Sequence, residues 1–127
     1  MSARILIVDD EPDVEALILQ KFRQKIKDGA IDFSFARDGV EALAALAANS
    51  GIDLVVTDIN MPRMDGLSLL QKLQESEGNV STIVVSAYGD MTNIRAAMNR
   101  GAFDFVTKPI DFELLRNEIE TRVQRAA

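Results

Sequence analysis

The chain has 127 residues, a net charge of −6, 47% hydrophobic and 27% charged residues, which suits one globular domain that buries a core without disulfide or metal staples. It has no cysteine and no histidine, so thiol catalysis, disulfides, imidazole bases, Ser-His triads and a phosphohistidine of its own are excluded, and acid, base or ligand work falls to carboxylates, Lys108 or water. The acidic balance argues against direct nucleic-acid binding, no apolar run approaches the roughly 20 residues that span a bilayer, and the apolar run after Met1–Arg4 is too short for a signal-peptide core, so no membrane partner and a cytoplasmic location are expected.

Arg4 to Val8 is a continuous apolar run ending in acid, the pattern of a central strand covered on both faces. Pro12 suits the first turn of a helix in which Val14, Leu17, Ile18, Phe22 and Ile26 recur at helical spacing until Gly29. Ile31, Phe33 and Phe35 alternate with polar or small residues, which predicts an edge strand with one buried face. Asp38 and Glu41 have capping-box spacing and open an Ala-rich helix with Val40, Leu43, Leu46 and Ala47 as its stripe, closed by Asn49 to Gly51. The run Ile52, Leu54, Val55 and Val56 predicts a third strand that delivers Asp58 into a turn-forming loop.

After that loop, Asp65 caps a helix bearing Leu67, Leu70 and Leu73, and Val80 to Ser86 reads as a β-branched fourth strand. Asp90 precedes a stripe of Met91, Ile94, Ala97 and Met98, stopped by Gly101. Phe103 to Val106 forms a short fifth strand and Lys108-Pro109 a turn. Asp111 then caps a last helix with Phe112, Leu115, Ile119 and Val123 inward and Arg122 and Arg125 at its carboxyl end.

Five strands alternating with five helices predict an α/β fold over residues 1–127: one doubly wound, flavodoxin-like, five-stranded parallel sheet in the order 2-1-3-4-5, with helices on both faces. Sites in such sheets form at the carboxyl ends of the strands where the order reverses, here between strands 1 and 3. The strands leave Asp9 and Asp10, Asp58, Ser86 and Lys108 at those ends. Three adjacent carboxylates repel one another, and with no histidine or cysteine the natural compensator is a hard dication, Mg²⁺ first and Mn²⁺ as its substitute. Each residue alone has a plainer reading: an acid after a strand is usually a turn or cap, Lys108 a solvated lysine, Ser86 a strand end.

Taken together, Val8-Asp9-Asp10-Glu11-Pro12, Asp58-Ile59-Asn60-Met61-Pro62-Arg63-Met64-Asp65-Gly66, Ser86-Ala87 and Lys108-Pro109, in this order, resemble the receiver domain of two-component response regulators from Arg4 to about Val123. The resemblance implies a partner histidine kinase or histidine phosphotransfer protein whose phosphohistidine is attacked by Asp58. It also implies direct metal contacts from Asp10 and Asp58, a water-mediated one from Asp9 and a backbone carbonyl from Asn60. Lys108 and Ser86 would meet the phosphoryl oxygens, and Asn60 and Tyr88 would flank the approach of hydrolytic water and tune phosphoryl lifetime. A switch of Ser86 with Phe105 would act on the surface of the fourth helix, fifth strand and fifth helix, where an output partner or a second protomer docks. Phe stands where many relatives carry Tyr, so Phe105 is either a fixed core aromatic or a rotor governed by packing alone. Phe103, two residues away, is expected on the same face. A cis bond before Pro109 is also implied.

Glu11 is read as a first-turn helix charge, Met61 and Met64 as packing residues, and Asp65-Gly66 as a cap and tight turn. A metal-dependent phosphohydrolase with Asp58 as a turnover nucleophile is the alternative, but Asn60 occupies the place of its second acid. In a flavodoxin-like binding module the first loop would cradle a phosphate, which Asp9-Asp10-Glu11 would repel. A receiver acts as a signalling element rather than an enzyme, and the output is either a separate partner of a free-standing regulator or an effector domain attached in a longer protein.

Overall fold

The computed structural model describes residues 3–49, 51–61, 63–75, 80–87 and 89–126, with side chains through residue 122. Its elements are β1 (Ala3–Val8), α1 (Pro12–Lys21), α2 (Arg23–Lys27), β2 (Ile31–Ala36), α3 (Gly39–Ala48), β3 (Leu54–Asp58), α4 (Gly66–Glu75), β4 (Ser81–Ala87), α5 (Met91–Asn99), β5 (Asp104–Lys108) and α6 (Phe112–Ala126). The five strands are all parallel and lie in the order β2-β1-β3-β4-β5. Every residue of β3 is buried, whereas β2 is half open along its length, as its alternating sequence requires of an edge strand.

Strand residues divide between the two faces with period two. Ile5, Ile7, Leu54, Val56, Ile83, Val85 and Val106 pack with Val14 and Ile18 from α1, with Phe22 just after it and with Leu115 and Ile119 from α6. On the other face, Leu6, Val8 and Val55 meet Ala42 of α3 and Leu69 and Leu73 of α4, while Val84 meets Leu70 of α4 and Ala97 of α5. Both layers therefore hold the strand ends rigidly.

The first helix is divided where one continuous helix was expected. The break falls at Phe22, whose ring is 1% exposed and sits edge to face against Phe33 with 5.2 Å between centroids. Several helix stripes are also rotated from the expected positions. Leu17, Val40, Met91 and Met98 are exposed and Ala47 faces solvent, while Ala42 and Leu69 are fully buried. Small Ala42 and Ala97 let α3 and α5 approach the sheet closely, which turns the larger neighbours outward. Asp38 accepts from the Glu41 amide at 2.9 Å, but the Glu41 carboxylate in turn accepts from the Arg37 amide, one residue before the expected donor. Asp65 accepts from the Ser68 amide at 2.7 Å at the start of α4. The side chains of Val123 and Arg125 lie outside the described residues.

Candidate functional site

The register of the sheet sets the site. Asp58 is the last residue of β3 and pairs with Val85, and Ala87 pairs with Lys108, so the ends of β3, β4 and β5 stand side by side. Asp9 follows β1 and its amide donates to the Ala36 carbonyl at 3.0 Å, turning the acidic loop over the sheet edge. Carboxylate oxygens of Asp9, Asp10 and Asp58 all lie within 4.8 Å of one another. Asp58 is 4% exposed, Asp9 is half-buried and Asp10 is exposed, so the cluster is a shallow acidic cup with its floor in the core.

Lys108 reaches into this cup. Its Nζ donates to Asp58 Oδ2 at 2.8 Å and lies 3.9 Å from Asp9 Oδ2 and 3.6 Å from Glu11 Oε1. Glu11, read from sequence as a helix charge only, is thus also a member of the lysine's surroundings. The amide of Asn60 donates to Asp58 Oδ1 at 3.3 Å and that of Glu11 to Asp9 Oδ1 at 2.9 Å. Burial, opposed by the Glu11 amide and assisted by the Asp58 charge, pushes the Asp9 carboxyl up from 3.8 to about 6. Burial acts to lower the Lys108 ammonium, but its hydrogen bond to Asp58 and the charges of Asp58, Asp9 and Glu11 prevail and hold it above its ordinary value.

One ammonium therefore faces several carboxylates. An all-oxygen donor set of this kind, with one exposed member open to solvent, fits a hydrated hard dication.

Ser86 is fully buried, one position beyond the β4 partner of Asp58, and its hydroxyl donates to Asp90 Oδ2 at a long 3.4 Å. Asn93 donates to the same oxygen at 2.8 Å. Asp90 stands at the N-cap position of α5 but makes no side-chain cap bond and instead holds the Ser86 hydroxyl. The spacing of four residues between them was visible in the sequence, but not which of its neighbours Asp90 would choose. Phe105 is 37% exposed and pairs with Val84, on the face that packs against α5. Phe103 does not share that position. It lies in the bend before β5, packs against the core on the α1 and α6 side, and carries the Arg122 guanidinium 5.5 Å from its ring centroid. The alternation rule fails here because β5 begins only at Asp104. Met61 and Met64 are half-buried against the α3 and α4 core, and the Lys108–Pro109 peptide is cis. Tyr88 lies outside the described residues.

The model of the response regulator receiver domain family matches residues 5–120. The chain belongs to that family. The response regulator protein PilR of Pseudomonas aeruginosa is 36% identical over 122 residues, covering 95% of this chain and 26% of PilR. The chemotaxis protein CheY of Treponema pallidum is 36% identical over 111 residues, covering 85% of this chain and 74% of CheY. The structure of the Francisella response regulator 1452 receiver domain superposes with a TM-score of 0.88 at 30% identity, covering 99% of this chain and all of that one. This receiver therefore spans about a quarter of PilR's own length. The chain is a receiver of two-component signalling, and the phosphohydrolase alternative is not supported by these relatives. Among the described residues no helix is long and apolar enough to cross a membrane.

Proposed function

We propose that this receiver is loaded at Asp58 with a phosphoryl group from the phosphohistidine of a histidine kinase or histidine phosphotransfer protein, and that residues 1–127 act as one receiver unit. The observation that carries the reading is Lys108 Nζ, 2.8 Å from Asp58 Oδ2 within a cluster shared with Asp9 and Asp10. An Asp58 oxygen attacks phosphorus and forms the P–O bond. The P–N bond breaks, and its electron pair stays on the donor imidazole. Lys108 offsets the charge on the phosphoryl oxygens, a positioning and electrostatic contribution of the kind that dominates phosphoryl transfer.

Asp58 and Asp10 would hold Mg²⁺ directly, Asp9 through water and Asn60 through its backbone carbonyl, with Mn²⁺ as a substitute. Bound there, the dication supplies charge neutralisation and orients the phosphoryl oxygens. Among the described residues the Ser86 hydroxyl is held by a long bond to Asp90. Its hydroxyl then turns to donate a hydrogen bond to the doubly charged phosphoryl group, the better acceptor. Release of Asp90, at the start of α5, and rearrangement of half-exposed Phe105 then alter the face formed by α5, β5 and α6, where an output partner, an attached effector or a second protomer docks. Asn60 and Tyr88 set the phosphoryl lifetime. The receiver assists its own loading and hydrolysis rather than turning over a substrate, and it works in the bacterial cytoplasm.

Phosphoramidate, a small donor with the P–N bond of phosphohistidine, tests this reading. The chain should gain one phosphoryl group in the presence of Mg²⁺ and almost none in EDTA. Loading of equal rate in EDTA would overturn the role of the carboxylate cluster.

A further inference from the structure

The loop from Ile59 to Asp65 carries Asn60 beside the phosphoacceptor and returns the chain to α4. Its first root is pinned to the sheet and its second to the first: the Ile59 amide donates to the Val85 carbonyl at 3.1 Å, and the Gly66 amide donates to the Ile59 carbonyl at 2.8 Å. Its outer half touches a different element. The Met64 carbonyl accepts from the Gly39 amide at 3.0 Å, and both Nε and Nη2 of Arg63 lie 2.6 Å from Asp38 Oδ2, with Nη2 3.5 Å from Glu41 Oε2.

We propose that the Asp38–Arg63 pair is a positioning latch that holds the phosphoacceptor loop against the start of α3, so that Asn60 and Asp58 keep the geometry their roles require. The inference rests on the loading of Asp58 proposed above.

Two features make the pair more than an ordinary surface ion pair. Arg63 adopts φ 63°, a left-handed conformation that a non-glycine residue keeps only where its surroundings over-determine it. Asp38, in turn, is 4% exposed and has both oxygens committed: Oδ1 caps α3 through the Glu41 amide at 2.9 Å, and Oδ2 takes the guanidinium. The same stretch also braces the opposite wall of the acidic cup, because the Ala36 carbonyl accepts from the Asp9 amide. Residues 36–39 thus tie together the two loops that supply the carboxylates.

Arg63→Gly removes the guanidinium and relieves the left-handed strain at once, so the fold should keep its melting temperature. Asp38→Asn keeps the cap oxygen but loses the charge. Each variant should raise hydrogen exchange across residues 59–66, weaken Mg²⁺ affinity by calorimetry and slow loading from acetyl phosphate by roughly tenfold, the usual scale for partners that orient a metal ligand. The double variant should be no worse than either single one, and Arg63→Lys should fall between. Unchanged exchange, Mg²⁺ affinity and loading in both single variants would overturn the latch, as would losses that merely follow the melting temperature. A wild-type chain that takes no phosphoryl group would overturn the proposed function instead, leaving the exchange of residues 59–66 to decide the latch.

Discussion

Gly66 sits where α4 begins, and its backbone lies directly on the peptide of Asp58, the proposed phosphoacceptor. A Cβ at this position would lie 2.2 Å from the Asp58 carbonyl oxygen, 2.8 Å from Ile59 Cα and 3.0 Å from the Asp58 carbonyl carbon. Nothing flexible lines that contact, so Gly66→Ala must part the two backbones by about 1 Å and stretch the Gly66–Ile59 hydrogen bond. Overpacking of this kind costs about 1–3 kcal/mol, partly offset by the roughly 1 kcal/mol by which Ala favours a helix over Gly. A net loss of up to about 2 kcal/mol should lower the melting temperature by up to roughly 8 °C. The effect on chemistry should be larger, because a misplacement of about 1 Å at a reacting group costs on the order of 100-fold in rate. Gly29→Ala is the matched control: φ is +74° with nothing within 4 Å of the added carbon, so it strains the backbone by about 1–2 kcal/mol far from the site. The assay pairs thermal unfolding with the rate of phosphoryl uptake by intact mass. If Gly66→Ala loads as fast as Gly29→Ala at similar stability, the close approach does not position Asp58.

Lys108→Ala should move two quantities in opposite directions. Removing the ammonium 2.8 Å from Asp58 leaves the carboxylates uncompensated, so Mg²⁺ binds severalfold tighter while phosphoryl uptake falls by roughly 100-fold; calorimetry and uptake rates check both. Asp9 should make the metal-free protein more stable as pH falls. Its folded carboxyl titrates at about 6 against 3.8 unfolded, so its stabilising contribution is complete below 3.8 and lost as pH rises through about 6. Melting temperatures measured without metal from pH 7 to 5 should rise in the wild type by more than in Asp9→Asn, and Mg²⁺ should bind less tightly below about 6. Phe103→Ala should destabilise by roughly 2–3 kcal/mol, because the ring is packed into the core beneath Arg122, whereas Phe105→Ala should cost under about 1 kcal/mol and leave phosphoryl uptake intact while altering phosphorylation-dependent association. Denaturant titration of the two variants separates these roles.

Sheet order and strand positions were legible because each strand is a short run of β-branched or apolar residues, and the alternation in Ile31 to Phe35 marks the edge. Asp9, Asp10, Asp58 and Lys108 were legible for a related reason: a parallel sheet gathers whatever follows its central strands at one rim, so their meeting needs only strand ends and strand order. Helix faces were less legible. In Val40-Glu41-Ala42-Leu43 the spacing offers more than one apolar stripe, and close approach of the helix to the sheet selected the smallest residue. Contacts between distant loops were not legible at all. Arg63, its backbone left-handed, meets Asp38 across 25 residues, and Asp90 accepts from Ser86, contacts that no periodicity encodes.

Everything proposed for this receiver depends on Asp58 being the phosphoacceptor and on the carboxylate cluster making it one. Intact mass after incubation with acetyl phosphate and Mg²⁺, on wild type and Asp58→Ala, tests it most directly. A single phosphoryl group is expected on the wild type and none on the variant. An equal adduct on both, or none on the wild type, would contradict it.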